Sequence, residues 1–423
     1  MKKIVCFGPG PIFKGGIANY NCSLAKAFAL LPGTEVYIVS WTQQYPAFIP
    51  RDFIDRKSQD KQLEGTSIQI FYITNYNKPS SWRKTVRQIK DINPDIVIFQ
   101  WAIAIQGLPM GTIAAMLRRQ TKAEIIFDLH FVIQKEGSRI DKWLTRYGIR
   151  HAHSYVVHSE KTARELEHLF PHTSFACVKK GRNNDITKKT IITLFHPVYD
   201  MFKPDVAFNK EKIKNELKLH KHVFLFFGFI RKYKGLHNAI EAFRQVLKQR
   251  QDVSLLIVGE SFWNTLDSNK LSTKIKQALF GVAKKLLLSK KDDERSYNPL
   301  LLIDKYKMHD YVTVVNEFVP NEEVHKYFQV SDSILLFYLT ATPSGVESIA
   351  YNFRLPILAT AVGHFPETIR HGYNGYIAPA DDINAMTQAM LLSIEKPIPD
   401  EHIAETAKYM SWENYAKAIL DIN

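Results

Sequence analysis

The apolar positions of this chain fall in short continuous runs separated by turns and helical stretches. The first run, KIVCFGPG (3–10), leads through a glycine-rich turn into IANYNCSLAKAFALL. There Ile17, Tyr20, Leu24, Ala27 and Leu31 recur at helical spacing. Further strand candidates are VYIVSW (36–41), SIQIFYI (67–73), DIVIFQW (95–101), EIIFDLHF (124–131), SYVVHS (154–159) and TLFHPV (193–198). Runs that are apolar throughout, without strict alternation, predict strands covered on both faces, as in a parallel sheet flanked by helices.

The pattern restarts at HVFLFFGFI (222–230), followed by the helix GLHNAIEAFRQVLKQ and the strands SLLIVGE (254–260), YVTVVNEF (311–318), SILLFYL (333–339) and LPILAT (355–360). Two successive βα series joined near 200–222 predict two doubly wound domains facing each other across a cleft. The expected boundaries are 1–202, 203–400 and a C-terminal helix within 401–423 that crosses back to the first domain. The stretch 262–300 breaks the rhythm and reads as a basic helical insertion. Ligands of such sheets bind beyond the carboxyl ends of the strands, which directs attention to the loops there.

At 423 residues, 45% hydrophobic and 23% charged, the chain has a globular balance that excludes disordered and fibrous classes. Three cysteines, Cys6, Cys22 and Cys177, are too few and scattered for a disulfide framework, pointing to a reducing compartment. No apolar run reaches the ~20 residues of a membrane span, and Ile4–Phe7 is too short for a signal peptide. The expectation is a cytoplasmic protein whose net charge of +14 needs an anionic partner.

Several loops offer chemistry. Gly15 and Gly16 follow the first strand and open its helix, where free N–H groups suit an anion, although a tight turn without ligand has the same sequence. Gly228, Arg231 and Lys234 follow the first strand of the second series; two cations there suit a diphosphate, or form a solvated basic loop. Ser344-Gly345-Val346 and Gly363-His364 begin later helices in the same way. His130 ends the strand EIIFDLH, placed to meet a sugar hydroxyl or a developing charge, with Glu136 six residues on. There is no DxD pair, paired-histidine metal spacing, GxSxG elbow or GxxxxGK[ST] loop, which argues against metallohydrolases, α/β-hydrolases and P-loop enzymes.

In order and spacing these segments resemble the retaining, GT-B-fold glycosyltransferases of family 4, over essentially the whole chain. The segments are GGI (15–17), SWTQQYP (40–46), HFVIQKE (130–136), VHSE (157–160), HPVYDMF (196–202), FGFIRKYKG (227–235), EFVPNEEV (317–324), the ATPSGVESIAY run (341–351) and VGHFPE (362–367). The nearest branch is bacterial and assembles surface polysaccharide. The resemblance implies that the second domain takes a nucleotide-diphosphate sugar as donor substrate, with no other cofactor and no obligatory metal. Arg231 and Lys234 would neutralise the diphosphate. Gly345, Val346, Gly363 and His364 would meet phosphate or sugar, and Val319 would line the base pocket. His130 would touch the donor sugar and Gly16 its phosphate. The acceptor would be a glycan or a polyprenyl-diphosphate-linked saccharide.

The family's paired glutamates fall here on Ala341 and Ile349, and His364 replaces the second glycine of a VGG turn. Glu347 reads as a helix-surface carboxylate, with a ribose contact as the weaker alternative.

The positive charge concentrates in 81–90, 179–189 and 274–295, each carrying +4. Trp82, Arg83 and Arg87 in the first segment, and Lys276, Lys284 and Lys285 in the last, lie on amphipathic patterns that suit an anionic membrane surface; packing on the parent domain is the plain alternative. The expected location is the inner face of the cytoplasmic membrane. Nucleic acid is not an expected partner, since no recognised nucleic-acid-binding module is present. Two rival readings are a basic nucleic-acid or membrane-surface binding protein on the same scaffold without transferase activity, and a nucleotide-sugar epimerase.

Overall fold

The computed structural model describes residues 1–45, 54, 63–132, 139–261, 297–343 and 345–422. Two compact units divide the chain: one holds residues up to Phe195 together with the segment from Trp412 onward, the other runs from His196 to Ser411. The division thus falls at 195/196 where 202/203 was expected, and the returning segment begins at Trp412 where 401 was expected.

In the first unit the order is β1 (Lys2–Phe7), α1 (Gly16–Ala29), β2 (Thr34–Gln43), β3 (Gln69–Asn75), α2 (Pro79–Ile92), β4 (Ile96–Trp101), α3 (Gly107–Gln120), β5 (Glu124–Leu129), α4 (Arg139–Ile149), β6 (Ser154–Val157), α5 (Glu160–Leu169), β7 (Phe175–Val178) and β8 (Lys189–Thr193). Among the described residues these eight strands form one parallel sheet, β3-β2-β1-β4-β5-β6-β8-β7. All six residues of β4 are buried, as a strand covered on both faces requires.

In the second unit the order is α6 (Lys210–Glu216), β9 (His222–Phe227), α7 (Leu236–Val246), β10 (Val253–Val258), α8 (Leu301–Tyr306), β11 (Val312–Val315), α9 (Val324–Val330), β12 (Ser333–Leu336), α10 (Gly345–Asn352), β13 (Ile357–Thr360), α11 (Phe365–Thr368), β14 (Gly375–Ala378), α12 (Ile383–Glu395) and α13 (Asp400–Tyr409). Its described strands make a six-stranded parallel sheet, β11-β10-β9-β12-β13-β14. Strand order reverses between β1 and β4 in one sheet and between β9 and β12 in the other. These are the switch points where such sheets open for ligands.

α14 (Trp412–Leu420) belongs to the first unit and packs on α1. Its Trp412, Tyr415, Ala416 and Ile419 are buried, and the Trp412 ring meets Tyr20 edge-on at 4.8 Å.

Three expectations are corrected. The run 193–198 is mostly loop; the strand there is β8, ending at Thr193. The edge strands β7 and β14, each of four residues, were not anticipated. The stripe of α2 is spent on its own unit: Val86 and Ile89 are in the core, and the half-buried Trp82 packs against it and donates its indole N–H to the Asn75 carbonyl at 2.7 Å. Arg83 and Arg87 point outward. Lys276, Lys284 and Lys285, with most of the 262–300 stretch, lie outside the described residues.

The basic segment 179–189 is largely paired within the unit. Lys179 meets Glu160 at 2.8 Å, Arg182 meets Glu124 at 2.5 Å, and Lys188 meets Asp185 at 3.3 Å. Among the described residues no helix is long and apolar enough to cross a membrane.

Candidate active site

In the second unit the expected phosphate residues converge at the carboxyl ends of β9, β12 and β13. Gly228 leaves β9 with φ 94°, in the left-handed region, and a Cβ there would stand 2.7 Å from Lys234 Nζ. Any larger residue would therefore pay backbone strain and also collide with the lysine. Lys234 itself is buried, and its ammonium donates to the Phe227 carbonyl at 3.3 Å and lies 5.7 Å from the Tyr338 ring centre. Burial first, and then the Arg231 charge, lower its pKa to about 8. Arg231 lies 5.5 Å from the ring centre of Tyr233. Val346 packs over the same glycine: a Cβ on Gly228 would sit 3.7 Å from its Cγ2.

Gly345 opens α10 against the Tyr199 ring, where a Cβ would come within 2.7 Å of Cε2. Ser344 lies outside the described residues. Gly363 turns the chain after β13, and the next residue, His364, is buried. His364 Nε2 is 2.5 Å from Glu347 Oε2, and Thr368 donates its hydroxyl to Glu347 Oε1 at 2.5 Å. Glu347 is thus not the helix-surface carboxylate expected: it is buried, and both its oxygens are engaged within the unit.

Beside Gly228 opens a cavity of about 160 Å³, lined by Phe202, Phe227, Phe229, Phe318, Val319 and the Gly228 and Gly259 backbones, among others. The sequence reading reached Val319 and missed the phenylalanines. FFGFI does carry a signal, since aromatics flank the glycine on both sides. The lining is mostly apolar, with Glu260, Glu317 and Asn321 also contributing, a composition that suits a flat heterocycle.

The first unit holds the remaining expected groups. Gly15, with φ 106°, precedes α1, whose first turn begins at Gly16 and carries no acidic residue. His130 follows β5, and its backbone N–H donates to the Trp101 carbonyl at 3.1 Å. Its Nε2 lies 2.8 Å from Gln100 Oε1, and its ring meets Tyr20 edge-on at 4.5 Å. Burial, partly opposed by Asp128, pushes its pKa down to about 3, so the imidazole is neutral across the physiological range. Glu136 lies outside the described residues.

Behind His130 sits a buried polar group that the sequence did not reveal. Asp128 Oδ1 is 2.9 Å from His158 Nε2, while Tyr20 and Tyr415 donate hydroxyls to Oδ2 at 3.0 and 3.2 Å. Tyr20, His130 and, within VHSE, His158 stood in segments that carried a signal, but nothing local joined them to Tyr415, which lies 287 positions from Asp128 along the chain.

Two family models match: the one described as glycosyl transferases group 1 over residues 207–410, and glycosyltransferase family 4 over residues 14–176. The chain belongs to the group 1 glycosyltransferases of the GT-B fold. Spore coat protein SA of Bacillus subtilis is 26% identical over 171 residues, 40% of this chain and 38% of that protein. The amylovoran biosynthesis glycosyltransferase AmsK of Erwinia amylovora is 32% identical over 90 residues, 20% of this chain and 22% of that protein. The matches thus span well under half the length of either curated relative. The structure of Anabaena Alr3699/HepE in complex with UDP-glucose superposes with a TM-score of 0.61 at 14% identity, covering 99% of this chain and 95% of that one. At that identity the likeness is one of fold.

Proposed function

We propose that the protein transfers a glycosyl group from a nucleotide-diphosphate sugar to a glycan or polyprenyl-diphosphate-linked acceptor, with retention at the anomeric carbon, in surface-polysaccharide assembly. The observation that carries this reading is the juxtaposition of Lys234 Nζ with the Gly228 backbone, next to the aromatic cavity. A nucleobase in the cavity puts the diphosphate on Gly228 and Lys234, with Arg231 close by in sequence. As the bond from the anomeric carbon to the diphosphate oxygen breaks, charge grows on that oxygen, and a desolvated ammonium opposes it more strongly than a solvated one. Two cations suffice for this role without a metal. The acceptor hydroxyl enters on the face the leaving group departs from and gives its proton to the departing phosphate. His130, uncharged, offers a hydrogen bond to a hydroxyl of the transferred sugar and leaves the charge balance at the phosphate unchanged.

The UDP-glucose held by Alr3699/HepE and the role named for AmsK support this donor and this pathway. The retention of configuration and the lipid-linked acceptor rest on the family resemblance and on the basic surface.

The test is a thermal-shift panel of UDP-, GDP-, ADP- and dTDP-sugars, followed by NMR of the product's anomeric centre. One donor is expected to stabilise the protein, and Lys234→Ala to abolish the effect, in the presence of EDTA as in its absence. Stabilisation by none of them, or an epimerised sugar with free nucleotide in the absence of acceptor, overturns the reading.

A further inference from the structure

One face of the first unit remains without a role. Ile140 and Trp143 of α4 are 51% and 56% exposed, and Leu108 at the start of α3 is 43% exposed. They belong to one patch. Trp143 stacks on Tyr147 at 5.8 Å, the Tyr147 hydroxyl meets that of Thr112 at 3.0 Å, and Thr112 donates to the Leu108 carbonyl at 2.7 Å. Arg139, Trp143, Arg146 and Arg150 recur on α4 and its end at four-, three- and four-residue steps, which makes a single outward stripe. All three arginines are exposed, although Arg146 donates from Nε and Nη2 to the Leu169 carbonyl at 3.1 and 2.8 Å, which leaves Arg139 and Arg150 as the outward cations, and Asp141 lies off the stripe.

The positive charge here is crowded. Arg150 lies 4.7 Å from the Tyr147 ring centre, and Arg118 donates to the His151 carbonyl at 3.4 Å. His151 is pushed down to about 4, by burial first and then by Arg150 and Arg118. The nearby acid, Glu124, is already held by Arg182. Holding like charges together beside exposed tryptophan and isoleucine is unfavourable in water. An outside surface that is anionic and apolar at different depths relieves both costs.

We propose that the outward face of α4 seats on an anionic bilayer, with Ile140 and Trp143 entering the boundary between headgroups and acyl chains and Arg139 and Arg150 meeting lipid phosphates. Tryptophan favours that depth, and arginine reaches headgroup phosphates from it. A second copy of the chain is a poorer occupant: a two-fold contact would bring this stripe against its own arginines, and three apolar side chains fall far short of a stable interface. Nucleic acid would use the arginines but has no use for Ile140 and Leu108. The proposal rests on the reading of a lipid-linked acceptor and moves the membrane contact from Trp82, which packs against its own unit's core, to Trp143.

The experiment is co-sedimentation of the full chain with phosphatidylcholine vesicles containing or lacking phosphatidylglycerol, alongside the melting temperature and activity on a short water-soluble acceptor. Wild type is expected to bind only the anionic vesicles. The pair Ile140→Ser with Trp143→Ser is expected to cut partitioning about tenfold, and Arg139→Ala with Arg150→Ala by at least as much, from ~1 kcal/mol per lost arginine. Melting and soluble-acceptor activity are expected to stay unchanged. Wild-type binding that both double variants retain overturns this face and leaves the lipid-acceptor reading standing. Absence of wild-type binding sinks both. Concentration-dependent dimers lost in the serine variants, or retention of a labelled oligonucleotide without vesicle binding, overturn it in favour of the other occupants.

Discussion

Glu347 and His364 form a closed pair inside the second unit, 2.5 Å apart, across the helix that follows β12 and the turn that follows β13. The pair ties the first turn of α10 to the turn after β13, and Thr368 takes the other carboxylate oxygen. His364 thus braces from within the turn that follows β13.

Removing one partner leaves the other buried without its hydrogen-bond partner. Glu347→Ala is expected to destabilise the protein by about 2 kcal/mol, and Glu347→Gln by less, because the amide oxygen still accepts a hydrogen bond. Urea unfolding of the three proteins checks the order. Equal stability of all three would show the pair to be incidental.

Lys234 should reveal itself through pH. Its folded pKa of about 8 lies below the ordinary lysine value of 10.5, so between those values the unfolded chain binds more protons than the native one. Stability of the ligand-free protein therefore gains a rising contribution from this group as pH climbs through that window. Nucleotide binding runs the other way: it needs the ammonium, takes up a proton, and weakens up to tenfold per pH unit above about 8. Lys234→Met is expected to be as stable as wild type or more so at pH 7, and to lose nucleotide affinity at least a hundredfold, an estimate from the ~3 kcal/mol of a charged hydrogen bond. Calorimetry with free nucleotide measures both.

The cavity beside Gly228 gives a purely steric prediction. Val319→Trp puts an indole into the apolar cavity of about 160 Å³ without adding or removing a charge. Nucleotide-sugar binding should disappear while the melting temperature moves by a few degrees at most. Retained binding would place the base elsewhere.

Asp128 predicts an acid limit for the first unit. Burial alone would push its carboxyl up, but the His158 charge beside it and hydrogen bonds from His158 and Tyr20 outweigh that and hold it below the usual carboxylate value. Its contribution is complete above the unfolded pKa and is lost as pH falls through the lower folded one. Asp128→Asn should flatten the acid arm of stability, and Tyr415→Phe should cost about 1 kcal/mol for its lost hydrogen bonds. His130, held neutral to about 3, should contribute no ionisation to a rate profile between pH 5 and 9. An inflection removed by His130→Asn would contradict that.

The legible part of this molecule was written in local patterns. β4 and β10 showed as unbroken apolar runs because each is buried from end to end, and Gly228 and Lys234 showed because a glycine and a cation follow a strand. β7 and β14 did not show, since a four-residue edge strand has no periodicity to read. Trp82 misled for a related reason: an amphipathic helix states that one face is buried, and does not state in what. Glu347 was misread because its burial depends on His364, seventeen positions away, across a turn that sequence leaves open. The phenylalanine cavity and the Asp128 group are assembled from segments with no shared signal at all.

The placement of α14 bears on how the protein is made. Tyr415 and Trp412 complete the buried surroundings of Asp128 and Tyr20, yet they are synthesised only after the whole second unit has been. A nascent chain therefore lacks two of the aromatic walls around Asp128 and Tyr20 until α14 has been made, so the first unit is completed by residues that follow the second one in sequence.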